Sequence, residues 1–369
     1  MVSRVSMRRT RVAVVFGGRS TEHAISCVSA GSVLAALDLD EFEVVPVGIT
    51  REGRWVLAAS ADPSTLAIRG QRLPEITAAD GRAVMLSADP GDHGLVVLDP
   101  ARGAGALADV DVVFPMLHGA YGEDGTMQGL LEMAGIPYVG AGVFASAAAM
   151  DKEFAKKLAT AEGIPSAPYA VLRAGASMDP EEQKRLGLPV FVKPARAGSS
   201  YGITKVADWA DLDAAVATAR EIDSKVLVEA AVAGREIECG VLEGEYGGPP
   251  EVSQLAEIRI VSGHEFYDFE AKYLDDSCEF DIPARLPERV TAQVQDYAAR
   301  VFMALDCAGL ARVDFFVTPE LDVYLNEINT MPGFTPTSMF PRMWAETGLP
   351  YPKLVARLVR TALRRPPSR

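Results

Sequence analysis

The feature that most constrains the fold is a run of five consecutive apolar residues near the start of the chain, Val12–Phe16, which ends at Gly17-Gly18. An uninterrupted apolar run predicts a strand buried on both faces, as in parallel sheets covered by helices. Apolar residues then recur near helical spacing at Ile25, Val28 and Leu34, and a second apolar run follows at 44–47. We therefore expect strands and helices to alternate around a parallel α/β sheet in the first third of the chain.

Composition and charge limit the class of protein. Of the 369 residues, 49% are hydrophobic, an ordinary share for a packed protein, so an intrinsically disordered chain is excluded. The formal net charge of −14 argues against a nucleic-acid partner, because general nucleic-acid binders carry excess lysine and arginine. The four cysteines are scattered and form no CxxC motif, which is typical of a protein in a reducing compartment.

No membrane segment is expected. No apolar stretch approaches the roughly 18 residues that a membrane-spanning helix needs. The N-terminus is basic, but the apolar run that follows it is too short for a signal peptide. We therefore expect a soluble, cytoplasmic protein without a membrane partner.

The pattern of apolar and polar residues changes near residues 141 and 233, which divides the chain into three parts. The Gly-, Asp- and Pro-rich stretch 51–109 of the first part is expected to be loops and short strands. A middle part, from about 141 to 232, opens with an alanine-rich helix predicted over Ala145–Glu162. The last part, 233–369, contains a predicted helix and two strands separated by a turn.

The strongest group of candidate functional residues lies on those two strands. Side chains alternate between the faces of a strand, so Arg312 and Asp314 share a face of the first strand. Glu327 and Asn329 share a face of the second strand for the same reason. If the strands pair as a hairpin, two carboxylates and one amide oxygen converge. Such oxygen ligands suit Mg²⁺, which takes its remaining ligands from water and substrate phosphates.

A solvated sheet face with paired charges is the alternative interpretation of this group. Val323 and Leu325 have the same parity as Glu327, so we expect that face to be largely buried. An unpaired buried carboxylate is costly, and a bound metal ion would compensate for it.

A second candidate is the loop Lys193–Gly202, which directly follows an apolar strand. Glycine and serine let backbone N–H groups turn toward an anion, and Lys193 adds a positive charge, so the loop is suited to phosphate. The Walker A motif is absent, because the chain contains no Gly-Lys dipeptide. An ordinary flexible loop is the alternative.

Two short glycine motifs point to other functions. Gly198–Gly202 fits the G-x-S-x-G pattern of serine hydrolases with Ser200 as nucleophile, but only His264 follows as a candidate base. Gly140–Ala145 fits G-x-G-x-x-A, but no acidic residue ends a strand about 20 residues later, where a dinucleotide-binding fold would place one. We interpret the second motif as the turn into a helix.

Other charged residues are ambiguous when they are taken singly. Lys152 and Lys272 are most simply surface lysines, but together with Lys193 they could surround a polyphosphate. Glu229 and Glu236 could accept hydrogen bonds from an adenine amino group and from ribose, or could be strand-end charges.

Taken in order, these motifs closely resemble those of D-alanine–D-alanine ligases, members of the ATP-grasp superfamily. The resemblance covers nearly the whole chain. It is carried by Gly17–Glu22, His118-Gly119, Gly122–Gly125, Met150–Lys152, Lys193–Gly202, Glu270–Tyr273, Gly309–Asp314 and Asn326–Thr335.

The resemblance implies a fold and a domain organisation. The fold class is α/β, with α+β character in the C-terminal half, in a three-domain ATP-grasp architecture. The N-terminal parallel-sheet domain is 1–140, the central ATP-grasp subdomain 141–232, and the C-terminal subdomain with the metal site 233–369. The ATP-grasp region as a whole covers about 156–361, and a homodimer is expected.

The resemblance also implies roles in binding ATP and two Mg²⁺ (or Mn²⁺) ions. The residues that bind ATP would be Lys152, Lys193, Ser199, Glu229, Glu236 and Lys272. The metal ligands would be Asp314, Glu327 and Asn329. The family often has Glu-Lys where this chain has Glu229-Ala230, so one adenine contact falls to the backbone.

The same resemblance implies that two D-alanine molecules are joined through an acyl phosphate. Glu22 would pair with the ammonium group of the first D-alanine, and His118 would be a further substrate-binding residue. Glu22, Ser199 and Tyr273 would form a hydrogen-bonded set that closes the site. Arg312 and the N–H of Gly333 would stabilise the tetrahedral oxyanion. The residues at the second D-alanine would be Ser338 and Met339.

Two alternatives stay open at this point. The same fold could use D-lactate or D-serine as the second substrate, although the intact Lys272-Tyr273 favours an amine. A serine hydrolase built on Ser200 is the alternative from another class.

Overall fold

The computed structural model of the protein describes residues 8–59, 62–68, 70, 72–91, 94–99, 103–199, 201–260 and 278–365. Four residues named above, Ser200, His264, Lys272 and Tyr273, lie outside the described residues. The chain divides into two compact units. The first unit consists of Met1–Val143 and Met331–Arg369, and the second unit of Phe144–Thr330.

The described strands and helices follow one another along the whole chain. The strands are β1 (Thr10–Gly17), β2 (Phe42–Ile49), β3 (Trp55–Ala58), β4 (Gly81–Leu86), β5 (Gly94–Asp99), β6 (Gly103–Asp109), β7 (Val112–Met116), β8 (Tyr169–Leu172), β9 (Val190–Pro194), β10 (Thr204–Val206), β11 (Val226–Ala230), β12 (Arg235–Leu242), β13 (Glu251–Ile260), β14 (Cys278–Asp281), β15 (Leu310–Val317) and β16 (Val323–Asn329). The helices are α1 (His23–Ala36), α2 (Thr126–Met133), α3 (Val143–Met150), α4 (Lys152–Ala161), α5 (Pro180–Leu186), α6 (Leu212–Arg220), α7 (Glu288–Ala304), α8 (Met339–Glu346) and α9 (Tyr351–Arg364). None of these described helices is both long and apolar enough to cross a membrane.

The first unit is built on a mixed sheet with the strand order β6-β5-β4-β3-β2-β1-β7. Strand β1 pairs in parallel with β2 and β7, so the predicted parallel sheet is confirmed at the centre. The stretch 51–109 contains short strands, as predicted, and these strands, β3 to β6, extend that sheet through antiparallel pairs.

Gly17 sets the direction in which the chain leaves β1. Its φ angle of +88° is one that residues with a side chain rarely adopt, and a Cβ added here would lie 2.3 Å from the Ile49 carbonyl oxygen. Glycine is therefore required at this turn. The turn leads the chain through Glu22 into α1, at the carboxyl end of the parallel strands, where open α/β sheets bind ligands.

The C-terminal segment of the chain packs in the first unit. The fully buried ring of Phe334 lies 5.9 Å from that of Phe114 on β7, and the Nε and Nη2 of Arg360 bind Glu41 at 2.9 and 2.5 Å. Residues 331–365 therefore pack with the N-terminal strands, whereas the sequence analysis assigned them to a C-terminal subdomain. The boundaries of the three domains stay a prediction.

The second unit contains two antiparallel sheets. One has the order β10-β9-β11-β8, and its core includes the fully buried Val192 and Val226. The other has the order β14-β13-β12-β15-β16, and α7 covers it through an apolar stripe that includes Val294 and Val301. Along the chain, β11 is the last strand of the four-stranded sheet and β12 is the first strand of the five-stranded sheet.

The alanine-rich helix predicted over Ala145–Glu162 is wrong as a single element, because it is divided into α3 and α4. Asp151 has extended backbone angles (φ −89°, ψ 101°), and its side chain accepts a hydrogen bond from the Glu153 N–H. Aspartate is a good N-cap since its side chain satisfies an N–H group that the first turn leaves open. Lys152 is consequently the first residue of α4 rather than an interior residue.

The predicted hairpin of β15 and β16 is confirmed, but the predicted burial of Glu327 is wrong. The register pairs Phe315 with Leu325 and Asp314 with Glu327, so Asn326 is an extra residue in a β-bulge. The bulge shifts the alternation of side chains. Ile328 continues the buried face of Leu325, while Glu327 faces the other way and its side chain stays 28% exposed.

Candidate active site

The second unit contains a cavity of about 660 Å³ that is lined by residues of both of its sheets. Most of the residues predicted for ATP and metal binding line it. They are Lys152, Lys193, Ser199, Glu229, Glu236, Asp314 and Glu327. Arg312, predicted to stabilise the oxyanion, lines the same cavity. The sequence therefore identified most of the polar wall of this cavity from elements far apart in the chain.

Lysines occupy one side of the cavity. Lys193 lies on β9 and forms an ion pair with Glu229, which is nearly buried on β11. Lys152 donates from Nζ to the Ala197 carbonyl at 2.7 Å and lies 3.9 Å from Glu327 Oε2. Burial lowers the pKa of Lys152, and Glu327 opposes that change. Each ammonium group is paired with a carboxylate, and both are cations that phosphate oxygens can bind.

A third lysine, Lys156, was missed by the sequence analysis. Its side chain is 1% exposed, and its Nζ lies 2.5 Å from Glu229 Oε1. Burial would raise the pKa of Glu229, but Lys156 and Lys193 lower it to about 2, so this carboxylate is ionised at neutral pH. A signal was present, since Lys156 is four residues after Lys152 and shares a helix face with it.

The oxygen donors predicted to hold metal ions lie next to one another on the hairpin. Arg312 donates from Nε and Nη2 to the two oxygens of Asp314, both at 2.7 Å. The Asn329 side-chain amide donates to Asp314 Oδ2 at 3.0 Å. Glu327 is opposite Asp314 in the strand register.

This donor set fits magnesium chemistry. Carboxylate and amide oxygens are hard ligands, and Mg²⁺ binds through a few of them while it keeps waters and phosphate oxygens. Among the described residues, no group of three or more histidine, cysteine, aspartate and glutamate side chains is placed to hold a metal ion. The two carboxylates and one amide would supply only some of the oxygen ligands that such an ion takes.

Glu238 on β12 is a further residue that the sequence analysis missed. It is nearly buried, lines the same cavity, and its Oε1 lies 3.2 Å from Arg312 Nε. Burial disfavours the charge on Arg312, but Asp314 and Glu238 raise its pKa well above the ordinary value. Strand alternation could have found Glu238, because Ile237 and Cys239 are core residues and Glu238 between them points to the opposite face of β12, at the cavity.

The predicted phosphate loop is anchored at its base. Arg196 donates from Nε to Asp223 Oδ2 at 2.9 Å and from Nη2 to Oδ1 at 2.6 Å. Ser199 has a φ angle of +51°, which is uncommon for a residue with a side chain and turns the backbone sharply. The loop thus leaves β9 from a fixed point and reaches the cavity at Ser199.

In the first unit, Glu22 and His118 lie together at the carboxyl end of the parallel strands. Both side chains are nearly buried, and a Cβ on Gly119 would lie 2.7 Å from Glu22 Oε2. His118 Nδ1 lies 3.0 Å from the Met331 carbonyl, which can only accept, so Nδ1 carries the proton. Its Nε2 then accepts from the Ser29 hydroxyl at 3.1 Å. Burial lowers the pKa of His118, and Glu22 opposes this.

The segment from Met331 to Met339 brings the remaining predicted residues into the first unit. Glu123 joins this segment to the strand ends, because it accepts from the N–H of Gly119 at 2.6 Å and from that of Met331 at 3.1 Å. Ser338 is the N-cap residue of α8, and its hydroxyl accepts from the Thr335 N–H at 3.1 Å. Gly333 lies between these two points, and Met339 is buried in the first turn of α8.

Comparison with known proteins identifies the family. Residues 11–141 match the family model described as D-ala D-ala ligase N-terminus, and residues 158–360 match the model described as D-ala D-ala ligase C-terminus. The chain belongs to the D-alanine–D-alanine ligase family. The predicted resemblance is confirmed, and the chain is an enzyme of the ligase class.

The relatives of this ligase cover its full length. A D-alanine–D-alanine ligase of Rhodococcus jostii (strain RHA1) is 61% identical over 367 residues, which are 98% of this chain and 99% of that protein. The crystal structure of VanG D-Ala:D-Ser ligase from Enterococcus faecalis has a TM-score of 0.81 and 34% identity, over 96% of this chain and 100% of that one. A D-alanine–D-alanine ligase from Bacillus anthracis complexed with ATP has a TM-score of 0.71 and 28% identity, over 96% and 98% of the two chains. These likenesses confirm the α/β, ATP-grasp fold class predicted for this ligase.

Proposed function

We propose that this ligase joins two D-alanine molecules into D-alanyl-D-alanine for peptidoglycan synthesis, with ATP as co-substrate and ADP and phosphate as the other products. The observation that carries the proposal is the match of the chain to both D-ala D-ala ligase models. The cavity of the second unit supports it, because it is lined by lysines and oxygen donors expected of such a ligase.

In the proposed complex, ATP occupies that cavity. Lys152 and Lys193 bind phosphate oxygens, together with Lys272 and the loop at Ser199. Glu229 accepts from the adenine amino group, and Glu236 binds the ribose. The presence of Lys152 and Lys193 in the cavity lining supports the placement of the phosphates.

The metal site of the proposal uses the hairpin. Asp314, Glu327 and Asn329 would hold two Mg²⁺ (or Mn²⁺) ions, whose charge stabilises the transferring phosphoryl group when they are bound. In the described geometry Asp314 is held by Arg312 and Asn329. The two partners keep its carboxylate oriented on the strand.

The reaction has two steps. The carboxylate of the first D-alanine attacks the γ-phosphorus of ATP, and ADP leaves, which produces an acyl phosphate. The amine of the second D-alanine attacks the acyl carbon and loses a proton, and phosphate leaves with one of the original carboxylate oxygens. Arg312 and the N–H of Gly333 stabilise the oxyanion that forms between attack and departure.

The two D-alanines are positioned by residues of the first unit. Glu22 pairs with the ammonium group of the first D-alanine, and His118 lies beside Glu22 in this role. Ser338 binds the carboxylate of the second D-alanine, with Met339 packed nearby. Glu22, Ser199 and Tyr273 form the set that closes the site and keeps water from the acyl phosphate.

The proposal includes the organisation of the protein. The chain forms three domains with boundaries near 140 and 232, functions in the cytoplasm and assembles as a homodimer. D-serine or D-lactate as the second substrate is not favoured, because the relative at 61% identity is a D-alanine–D-alanine ligase and the D-Ala:D-Ser ligase is 34% identical. A hydrolase built on Ser200 is not favoured either, because the family is one of ligases.

A substrate panel tests the proposed function. The protein is incubated with ATP, Mg²⁺ and either D-alanine alone or D-alanine with D-serine or D-lactate. The proposal expects phosphate release that rises with D-alanine and a product with the mass of the D-alanyl dipeptide. Phosphate release that is independent of D-alanine would refute it, and a mixed product would assign the second substrate differently.

A further inference from the structure

The buried lysine of α4, Lys156, has a position that the proposed reaction does not use. Its side chain is 1% exposed and is not part of the cavity lining, whereas Lys193 reaches the cavity. Its neighbours on the helix, Ala155 and Ala159, are core residues. A charged group is costly in such surroundings unless it is paired, so the partners of Lys156 indicate its role.

Lys156 connects the two sheets of the second unit. Its Nζ lies 2.5 Å from Glu229 Oε1 on β11, and it donates to the Asn326 carbonyl at 3.1 Å. That carbonyl belongs to the β-bulge of β16, which turns Glu327 toward the cavity. One ammonium group therefore holds both the side chain of Glu229, which is proposed to contact the adenine base, and the backbone of Asn326, next to the proposed metal ligand Glu327.

The two lysines that hold Glu229 are not equivalent. Lys193 pairs with the second oxygen of Glu229 but also faces the cavity, where phosphate or a purine nitrogen can attract it. Lys156 is enclosed and does not line the cavity, so an occupant of the cavity does not compete for it directly. Glu229 is therefore kept as a carboxylate, and a carboxylate accepts hydrogen bonds but cannot donate them.

We propose that Lys156 is a positioning residue that makes the base subsite select adenine over a 6-oxopurine. The inference rests on the proposed contact between Glu229 and the adenine amino group. The 6-amino group of adenine donates to a carboxylate, whereas the 6-oxo group of hypoxanthine opposes it with a second acceptor. Without Lys156, Glu229 would take up a proton or turn away, and the two bases would be distinguished less.

The test compares Lys156→Met with Lys157→Met, which removes an exposed lysine from the next position of the same helix. Binding of ADP and IDP is measured by calorimetry, and kcat/KM is measured with ATP and ITP. Lys156→Met should lower the preference for adenine over hypoxanthine, in affinity and in kcat/KM, by roughly tenfold. The reason is the loss of the charge-assisted hydrogen bond from the adenine amino group to the Glu229 carboxylate. Lys157→Met should keep the wild-type ratio.

An equal loss of affinity for ADP and IDP in Lys156→Met would overturn the proposal, since removal of a purely structural lysine would weaken the binding of both nucleotides alike. Wild-type protein that binds ADP and IDP equally would also overturn it. Nucleotide binding is measured without D-alanine, so this result is separate from failure of the ligase reaction, which the substrate panel detects.

A double variant covers the case in which Lys156→Met does not fold. Lys156→Met with Glu229→Gln removes both charges of the buried pair, and the remaining partner of Glu229, Lys193, reaches the cavity. Because Lys156 acts through Glu229, the double variant should have the same base ratio as Glu229→Gln alone. A wild-type ratio in the double variant, or a further loss of roughly tenfold beyond Glu229→Gln, would contradict the inference.

Discussion

Lys225→Met removes the centre of a buried ion network that includes Asp151 and Glu153. Lys225 Nζ donates to Asp151 Oδ1 at 2.6 Å and to Glu153 Oε2 at 2.9 Å, and all three side chains are nearly buried. Its ammonium group also lies 4.8 Å from the centre of the Phe154 ring. Methionine has a similar length but no charge, so the variant leaves two acidic side chains without this cation.

The expected cost follows from what each acid retains. Glu153 keeps Lys157 at 2.7 Å and Arg173 at 3.1 Å. Asp151 keeps its capping bond to the Glu153 N–H but no other ion pair among the described contacts. Breaking a buried pair costs about 3–5 kcal/mol, so retention of the Glu153 partners puts Lys225→Met near the lower end, at about 3 kcal/mol.

Urea unfolding followed by circular dichroism measures this cost. The equilibrium constant for unfolding should rise on the order of a hundredfold. Hydrogen exchange should also increase in the first turn of α4, because Asp151 caps that turn. Lys184→Met on the exposed surface of α5 is the control and should change stability by less than about 0.5 kcal/mol.

Adding Asp151→Asn to Lys225→Met should recover part of the loss, because asparagine still caps the helix but carries no charge. A cost below about 1 kcal/mol for Lys225→Met would refute the reasoning, since that is the range of exposed pairs. Unchanged exchange in α4 would refute the link to the cap.

Three further predictions concern other parts of the protein. Glu327→Gln should lower kcat by at least roughly 100-fold, because the neutral amide binds the metal ion less well and its charge is lost from the site. Turnover near the wild-type value would reject Glu327 as a metal ligand. Gly17→Ala should destabilise the protein by about 2 kcal/mol or more, because of its positive φ angle and the contact with the Ile49 carbonyl; an unchanged urea midpoint would contradict this. Burial raises the pKa of Glu153, but Lys157 and Lys225 together lower it to about 2. Its stabilisation is therefore complete above the unfolded pKa of roughly 4.3 and is lost as pH falls toward 2. Glu153→Gln should accordingly make stability less dependent on pH between about 5 and 2, and an unchanged acid transition would contradict the assignment.

Local sequence patterns predicted those parts of the fold that depend on a few adjacent residues. The apolar run of β1 is buried without interruption from Val12 to Gly17, and the alternate apolar residues Val313, Phe315 and Val317 of β15 lie in the core, so both strands contain their own signal. The glycines after β1 marked the turn at the strand end correctly. The candidate site was found to the extent that its residues lie at such strand ends and loops.

The parts that were missed depend on partners far along the chain. The bulge at Asn326 reverses the face of Glu327, and nothing in the local alternation indicates where an extra residue is inserted. The burial of Lys156 depends on Glu229, which is more than seventy residues away. The break at Asp151 depends on its cap and on Lys225.

The central claim is that ATP activates the carboxylate of D-alanine so that the amine of a second molecule can displace phosphate. The most direct measurement uses D-alanine labelled with ¹⁸O in both carboxylate oxygens and analyses the released phosphate by mass spectrometry. The account predicts one ¹⁸O atom in each phosphate, because the oxygen that attacks the γ-phosphorus leaves with it. Unlabelled phosphate from a reaction that still forms the dipeptide would contradict the acyl-phosphate route.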